Sequence, residues 1–169
     1  NLPVTPITDL VIKHDDLIVA TQGRSFWIFD DMNLFRQYDG SSSPNLYTPE
    51  PAVMANWYSA MNAKNPSGTN DFIGVNPASG VVFYYSLPEL KEDQEVLLEI
   101  KDQAGNTVRS FTSKDDPSFV SYEGYPSKPA TLDQKVGLNR FVWDMRHETL
   151  KGIPAVYIEA SFSGHKAIP

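Results

Sequence analysis

The chain has 169 residues, 14 Lys and Arg against 21 Asp and Glu, an aromatic share of 12%, and no Cys. The lack of Cys excludes disulfide scaffolds, thiolate zinc sites, iron–sulfur clusters and cysteine nucleophiles. A net charge of −7 without a basic cluster argues against nucleic acid and anionic membranes, which both need Lys/Arg patches. The length suits one main domain plus an attached piece. No run of about 18 apolar residues is present, so no membrane span is expected. The first residue is Asn1, and no basic segment leads into an apolar stretch. A processed or trimmed start is therefore expected, with any signal peptide outside the chain.

Short apolar and aromatic runs separated by turn residues dominate, and no apolar stripe of helical period persists over three turns. Residues 9–13 (DLVIK), 17–21 (LIVAT) and 24–29 (RSFWIF) read as three strands. The turns between them are His14-Asp15-Asp16 and Gln22-Gly23. Asp30-Asp31 precedes MNLFR, and Asp at a helix start can cap free N–H groups, so one short helical turn is expected there. Gly40-Ser41-Ser42-Ser43-Pro44 reads as a linker. Pro49 and Pro51 confine the next piece to an edge strand or an extended crossover. Residues 62–70 (NAKNPSGTN) read as loop, and residues 72–74 as a short extended piece.

Residues 81–87 (VVFYYSL) are strongly β-prone and end at Pro88. Residues 95–101 (EVLLEIK) place Val96, Leu98 and Ile100 on one face. A hairpin loop follows over residues 102–106, where Gly105 can take positive φ. On the return strand, residues 107–112, Val108 and Phe111 are three apart, so both face inward only across a bulge or a strand end. Residues 115–135, with Pro117, Pro126 and Pro129, read as irregular. Residues 137–145 place Phe141, Trp143 and Met145 on one face, and residues 156–162 (VYIEASF) form a last candidate strand. Many strands with no helices between them suggest an all-β chain containing a β-sandwich.

Two stretches carry a family resemblance. Residues 3–12 (PVTPITDLVI) and 17–31 (LIVATQGRSFWIFDD) resemble the last blade of the BNR-repeat, sortilin-like β-propellers of large bacterial exported proteins. Residues 77–85 (PASGVVFYY), the hairpin 98–109 and residues 137–146 (GLNRFVWDMR) resemble the immunoglobulin-like sandwich that follows such propellers, which is also similar to the flagellar-hook-capping Ig-like module. The matches touch most of the chain outside residues 41–70; ATQGRSFWIFDD and GLNRFVWDMR are fairly specific, and the hairpin alone is generic. The Asp-box of sialidase-like propellers is absent, and neither the arginine triad, the Tyr nucleophile nor the acid carboxylate of sialidases can be located. The resemblance implies a β-meander over residues 1–38 that resembles the end of a propeller, a linker and crossover over 39–79, and an immunoglobulin-like β-sandwich over 80–169. In such sandwiches a string like Ala167-Ile168-Pro169 leads into a final strand, so a piece cut on both sides is expected. It further implies a non-catalytic structural or interaction module, exported to the periplasm or beyond, whose partner is the upstream propeller of the same protein. Parent proteins of this kind are labelled glycosyl hydrolases, and such a label rests on the propeller. The alternative is a carbohydrate-binding domain, or part of a glycosyl hydrolase, that takes a glycan; another chain is a further candidate partner.

Physics adds one expectation to the meander. A single blade buries its apolar faces against neighbouring blades. Phe26, Trp27 and Ile28 would otherwise lie against solvent or the sandwich, and an aromatic side chain gains about 1.5–3 kcal/mol on burial, so residues 1–38 are expected to pack on the sandwich or on another chain.

Candidate chemistry is sparse. His14, His147 and His165 share no metal-ligand spacing and read as unrelated surface or edge histidines. Asp15-Asp16, Asp30-Asp31, Glu92-Asp93 and Asp115-Asp116 are adjacent pairs that point to opposite faces in a strand, so they read as turn and cap residues rather than glycosidase carboxylates. Asn62, Asn65, Asn70 and Asp71 offer loop oxygens of the kind that bind Ca²⁺, yet the D-x-D-x-D-G loop is missing, so neither this metal nor another cofactor is expected. Trp57, Tyr58, Tyr122 and Tyr125 lie in irregular segments, where they can stack on sugar faces or seal the end of a core. No nucleophile elbow and no nucleotide-binding glycine motif is present.

Overall fold

Strand-forming runs of β-branched and aromatic residues alternate with turns in left-handed backbone. The computed structural model describes residues 2–41, 43–54, 78–119 and 128–148. The described chain is all-β and antiparallel, with one short helix. Strands β1 (Ile7–Lys13), β2 (Asp16–Thr21) and β3 (Phe26–Phe29) follow one another in a three-stranded sheet. His14 and Asp15 hold φ of 50° and 70°, which is the double left-handed geometry of a tight hairpin turn.

The helix α1 (Met32–Gln37) appears where a helical turn is expected, but its cap differs. Asp31 sits at the N-cap in left-handed conformation and makes no side-chain cap. The free N–H groups are instead satisfied from the β1–β2 turn. Met32 N–H donates to the Asp15 carbonyl oxygen at 2.9 Å, and Asn33 N–H donates to Asp15 Oδ2 at 2.6 Å. Asp15 also pairs with Arg36 on the same helix. The turn carboxylate thus welds the helix to the meander.

The second part comprises β4 (Asn45–Leu46), β5 (Val81–Leu87), β6 (Leu97–Lys101), β7 (Thr107–Thr112) and β8 (Gly137–Trp143). One sheet has the order β4-β5-β8, and β6 with β7 forms a separate hairpin. The short β4 is an edge strand, and of the piece expected as edge strand or crossover over residues 46–55 only Leu46 joins it, residues 47–54 forming no strand. Tyr85, Leu87, Phe141 and Trp143 from the sheet meet Leu98 and Phe111 from the hairpin in one buried cluster, closed by Leu132. Phe111 and Phe141 pack with ring centroids 4.6 Å apart. The expected inward rows hold: Val96 and Ile100 pack against this cluster beside Leu98, as does Met145 beside Phe141 and Trp143. The bulge is also present. Ile100 opposes Arg109 while Lys101 opposes Thr107, so Val108 is the extra residue and can face inward with Phe111.

The polar groups of the core aromatics are paired. Trp143 Nε1 donates to the Arg146 carbonyl at 2.9 Å, and the Tyr85 hydroxyl donates to the Asp133 carbonyl at 2.8 Å. Burial, reinforced by the Asp133 charge, pushes that phenol up to about 12. On the opposite face of β5 the hydroxyls of Tyr47 and Ser86 lie 2.8 Å apart and are both buried.

Gly80 enters β5 at φ 144°, and a Cβ there stands 2.0 Å from the Trp143 carbonyl oxygen, inside the β5–β8 ladder. Gly23 also has positive φ but faces open space. Gly80→Ala is expected to cost about 3 kcal/mol or more in urea unfolding, because the backbone must shift. Gly23→Ala is expected to cost only about 1–2 kcal/mol, the left-handed penalty alone.

Candidate functional site

The β1–β3 sheet presents the most unusual surface. Its registers place Ile12, Leu17 and Phe29 in one cross-strand row, then Val11, Ile18 and Ile28, then Leu10, Val19 and Trp27. Successive rows face opposite sides of the sheet. Both faces are therefore apolar, a pattern that belongs to strands covered on both sides. Among the described residues they are covered only in part: Val19 is buried, the rest of β2 is half-buried, and Phe35 of α1 meets Phe29. Phe26, Trp27 and Ile28 are 73%, 37% and 63% exposed, and every residue of β1 is exposed. The expected packing of these strands against the second sheet is thus not seen among the described residues; the contact is made by α1 instead.

Around α1 lies a polar junction beside a cleft of about 380 Å³. Asp31, Asn33 and Leu34 line it from the helix side, Tyr47, Thr48 and Glu50 from the segment after β4, and Val82 and Tyr84 from β5. The Tyr84 hydroxyl donates to Asp31 Oδ2 at 2.6 Å, and Tyr84 stands opposite Arg140 in the β5–β8 register. Desolvation, then hydrogen bonding to Asp31, holds the Tyr84 phenol above its usual value. Asp30 is raised too: partial desolvation first, then the charges of Asp16 and Asp31, against the opposing pull of Arg140.

This junction can position elements, and the described residues lining it include no nucleophile–base pair. Among the described residues no group of three His, Asp or Glu side chains is placed to hold a metal ion. His14 is exposed in the β1–β2 turn, and the His147 ring lies 3.2 Å from the Val108 carbonyl. The adjacent acids have local duties. Asp15 caps α1, Asp115 pairs with Lys128 at 2.7 Å, and Asp116 accepts from the Ser118 N–H at 2.8 Å. In the β6–β7 loop Asp102 accepts from the Asn106 side chain and backbone, which lowers its carboxyl below the usual range. Arg109 is directed inward over the Phe111 ring, 5.0 Å from its centroid, with Nη1 buried and without a hydrogen bond.

The sugar-stacking candidates Trp57, Tyr58, Tyr122 and Tyr125 lie outside the described residues, as do His165 and the calcium candidates Asn62, Asn65, Asn70 and Asp71. The strand expected over residues 156–162 lies outside them as well. Sequence reasoning missed the long-range pairs, Asp15 with α1 and Asp31 with Tyr84; no local pattern in the chain signals either. No helix among the described residues is long and apolar enough to cross a membrane. No family model, curated protein or solved structure matches the chain.

The raised Asp30 carboxyl means that the folded chain holds this proton more tightly than the unfolded chain. Its favourable contribution is complete below the ordinary value of 3.8 and is lost as pH rises through the raised value. Charged Asp30 therefore opposes folding at neutral pH. Asp30→Asn is expected to raise stability at pH 7 by less than about 1 kcal/mol, a gain that shrinks in acid. Urea midpoints measured across the acidic range check this; a loss of stability at pH 7 would contradict the assignment.

Proposed function

We propose that this chain is a non-catalytic structural and interaction module whose N-terminal sheet docks against β-sheet surface of a larger exported protein. The observation that carries this reading is the β1–β3 sheet, apolar on both faces, with every residue of β1 and β3 exposed. Each large apolar side chain left in water forgoes about 1.5–3 kcal/mol, and several adjacent ones mark an interaction surface. The resemblance of residues 3–31 to the last blade of a BNR-repeat, sortilin-like propeller supplies the partner: the propeller of the same protein. The same resemblance assigns residues 80–169, which hold β5 to β8, to an immunoglobulin-like sandwich. The shared core of its two antiparallel sheets supports that assignment. Periplasmic or extracellular placement follows from the same likeness. The carbohydrate reading rests on aromatics outside the described residues and becomes an outcome of the test below.

The test compares the chain with a Val11→Lys/Ile28→Lys variant, which charges one face of the sheet. The intact chain is expected to bind an apolar dye such as ANS and to self-associate at micromolar concentration in sedimentation. The variant is expected to lose at least about two-thirds of the dye signal and to remain monomeric. An intact chain that is monomeric and dye-silent would defeat the docking reading. A glycan-array signal abolished by Trp57→Ala or Tyr125→Ala would move the function to carbohydrate binding.

A further inference from the structure

We propose that α1 is a releasable clasp: it travels with the N-terminal sheet and holds that sheet to the β5 sheet through contacts that open while both sheets stay folded. The two sides of the helix are bound differently. Toward the meander, Asp15 holds the Met32 and Asn33 N–H groups and the Arg36 guanidinium, and Phe35 meets Phe29 edge-on with centroids 4.7 Å apart. Backbone, charge and ring contact thus fix the helix to its own sheet.

Toward the β5 sheet the attachment is made by side chains. Gln37 Nε2 donates to the Thr48 carbonyl at 3.0 Å, and Thr48 N–H donates to Gln37 Oε1 at 2.9 Å. One primary amide therefore serves both backbone groups of Thr48, as a neighbouring strand residue would. Asn33 Nδ2 adds a second donor to the same carbonyl at 3.1 Å, and Tyr84 reaches Asp31. These hydrogen bonds join the meander–helix unit to the β5 sheet and to the segment after β4. Leu34 is the buried apolar anchor of the helix. Beside it the Tyr38 and Tyr47 rings stand at 6.0 Å.

Interactions of this kind open more readily than a strand ladder. Amide side chains exchange their partners for water at little cost, whereas β5 and β8 are paired along seven registered positions. Asp39 and Gly40 follow soon after the helix, both exposed, with φ 75° at Gly40, and the hydrogen bond there is local, from Ser41 N–H to Asp39 Oδ1 at 2.8 Å. The use of such an opening by a docked partner rests on the reading above; the clasp itself does not.

The chain lacks Cys, so Lys13→Cys and Ser110→Cys, both at exposed positions, accept spin labels specifically. Pulsed dipolar spectroscopy on the intact chain is expected to give one distance distribution. In a Gln37→Ala/Tyr84→Phe background it is expected to broaden at least twofold, with the urea midpoint of the Trp143 core unchanged. An unchanged distribution overturns the proposal, and so does loss of the core together with the contact. Amide exchange followed by NMR on the unmodified chain gives an independent reading. Thr48 N–H is expected to exchange at least 100-fold faster than the amides of β5, with little dependence on urea. Exchange of Thr48 in step with β5 overturns the clasp without recourse to any variant.

Discussion

Consecutive residues of a strand face opposite ways, so Tyr85, Ser86 and Leu87 can all be buried only because both faces of β5 are covered. That double cover organises the described fold. On one face Tyr85 and Leu87 join Phe141 and Trp143, and the β6–β7 hairpin closes over them with Leu98 and Phe111. On the other face the inward residue is the small Ser86. Its hydroxyl needs a partner once water is excluded, and Tyr47 brings one at 2.8 Å while covering the strand. Tyr47 in turn sits beside α1, so the helix and everything attached to it are placed by what the outer face of β5 requires.

The two faces are held by different forces. The inner face is an apolar core with aromatic contact, where burial of each large side chain contributes about 1.5–3 kcal/mol. The outer face is a mixture of Tyr47, Leu34 and hydrogen bonds to Asn33, Gln37 and Asp31. Net hydrogen-bond contributions of about 0.5–1.5 kcal/mol each make this side weaker per contact but strict in geometry. Asp30 and Asp31 add charge at the same place, and Arg140 offsets part of it. The junction therefore specifies position more than it contributes stability.

What could be read from residues alone follows from distance along the chain. Period-two alternation placed Val96, Leu98 and Ile100, and Phe141, Trp143 and Met145, on their proper faces, because burial on one side leaves that imprint locally. The three-residue spacing of Val108 and Phe111 exposed the bulge for the same reason: the pattern breaks where an extra residue enters. The cap of α1 was not legible. Asp30-Asp31 has the right residue type at the right place, yet Asp15 does the work, because hairpin closure brings its carboxylate to the helix and Asp31 is turned away in left-handed backbone. Gln37 with Thr48 and Asp31 with Tyr84 are hidden likewise: polar side chains carry no periodic signature of a remote partner.

The strands β3 and β6 show why the N-terminal sheet is the part that looks outward. In LLEIK, Leu98 and Ile100 turn inward while Glu99 and Lys101 stay in water, so one neighbouring layer completes the strand. Leu97 is the single apolar residue that β6 leaves in water. In FWIF no position is polar, and alternation places Phe26 and Ile28 on one side with Trp27 and Phe29 on the other. A strand of that composition needs two layers. The rows crossing β1 and β2 continue the same demand across the whole sheet, interrupted by Asp9 at one end. Phe35 shields one edge of Phe29, and the Trp27 indole N–H is spent on the Arg24 carbonyl at 2.9 Å, so the polar part of that side chain is satisfied within the hairpin and its ring is left for contact. β1 and β3 are also the two edges of this sheet, so beside its apolar residues it presents outward backbone groups that pair with no further strand among the described residues.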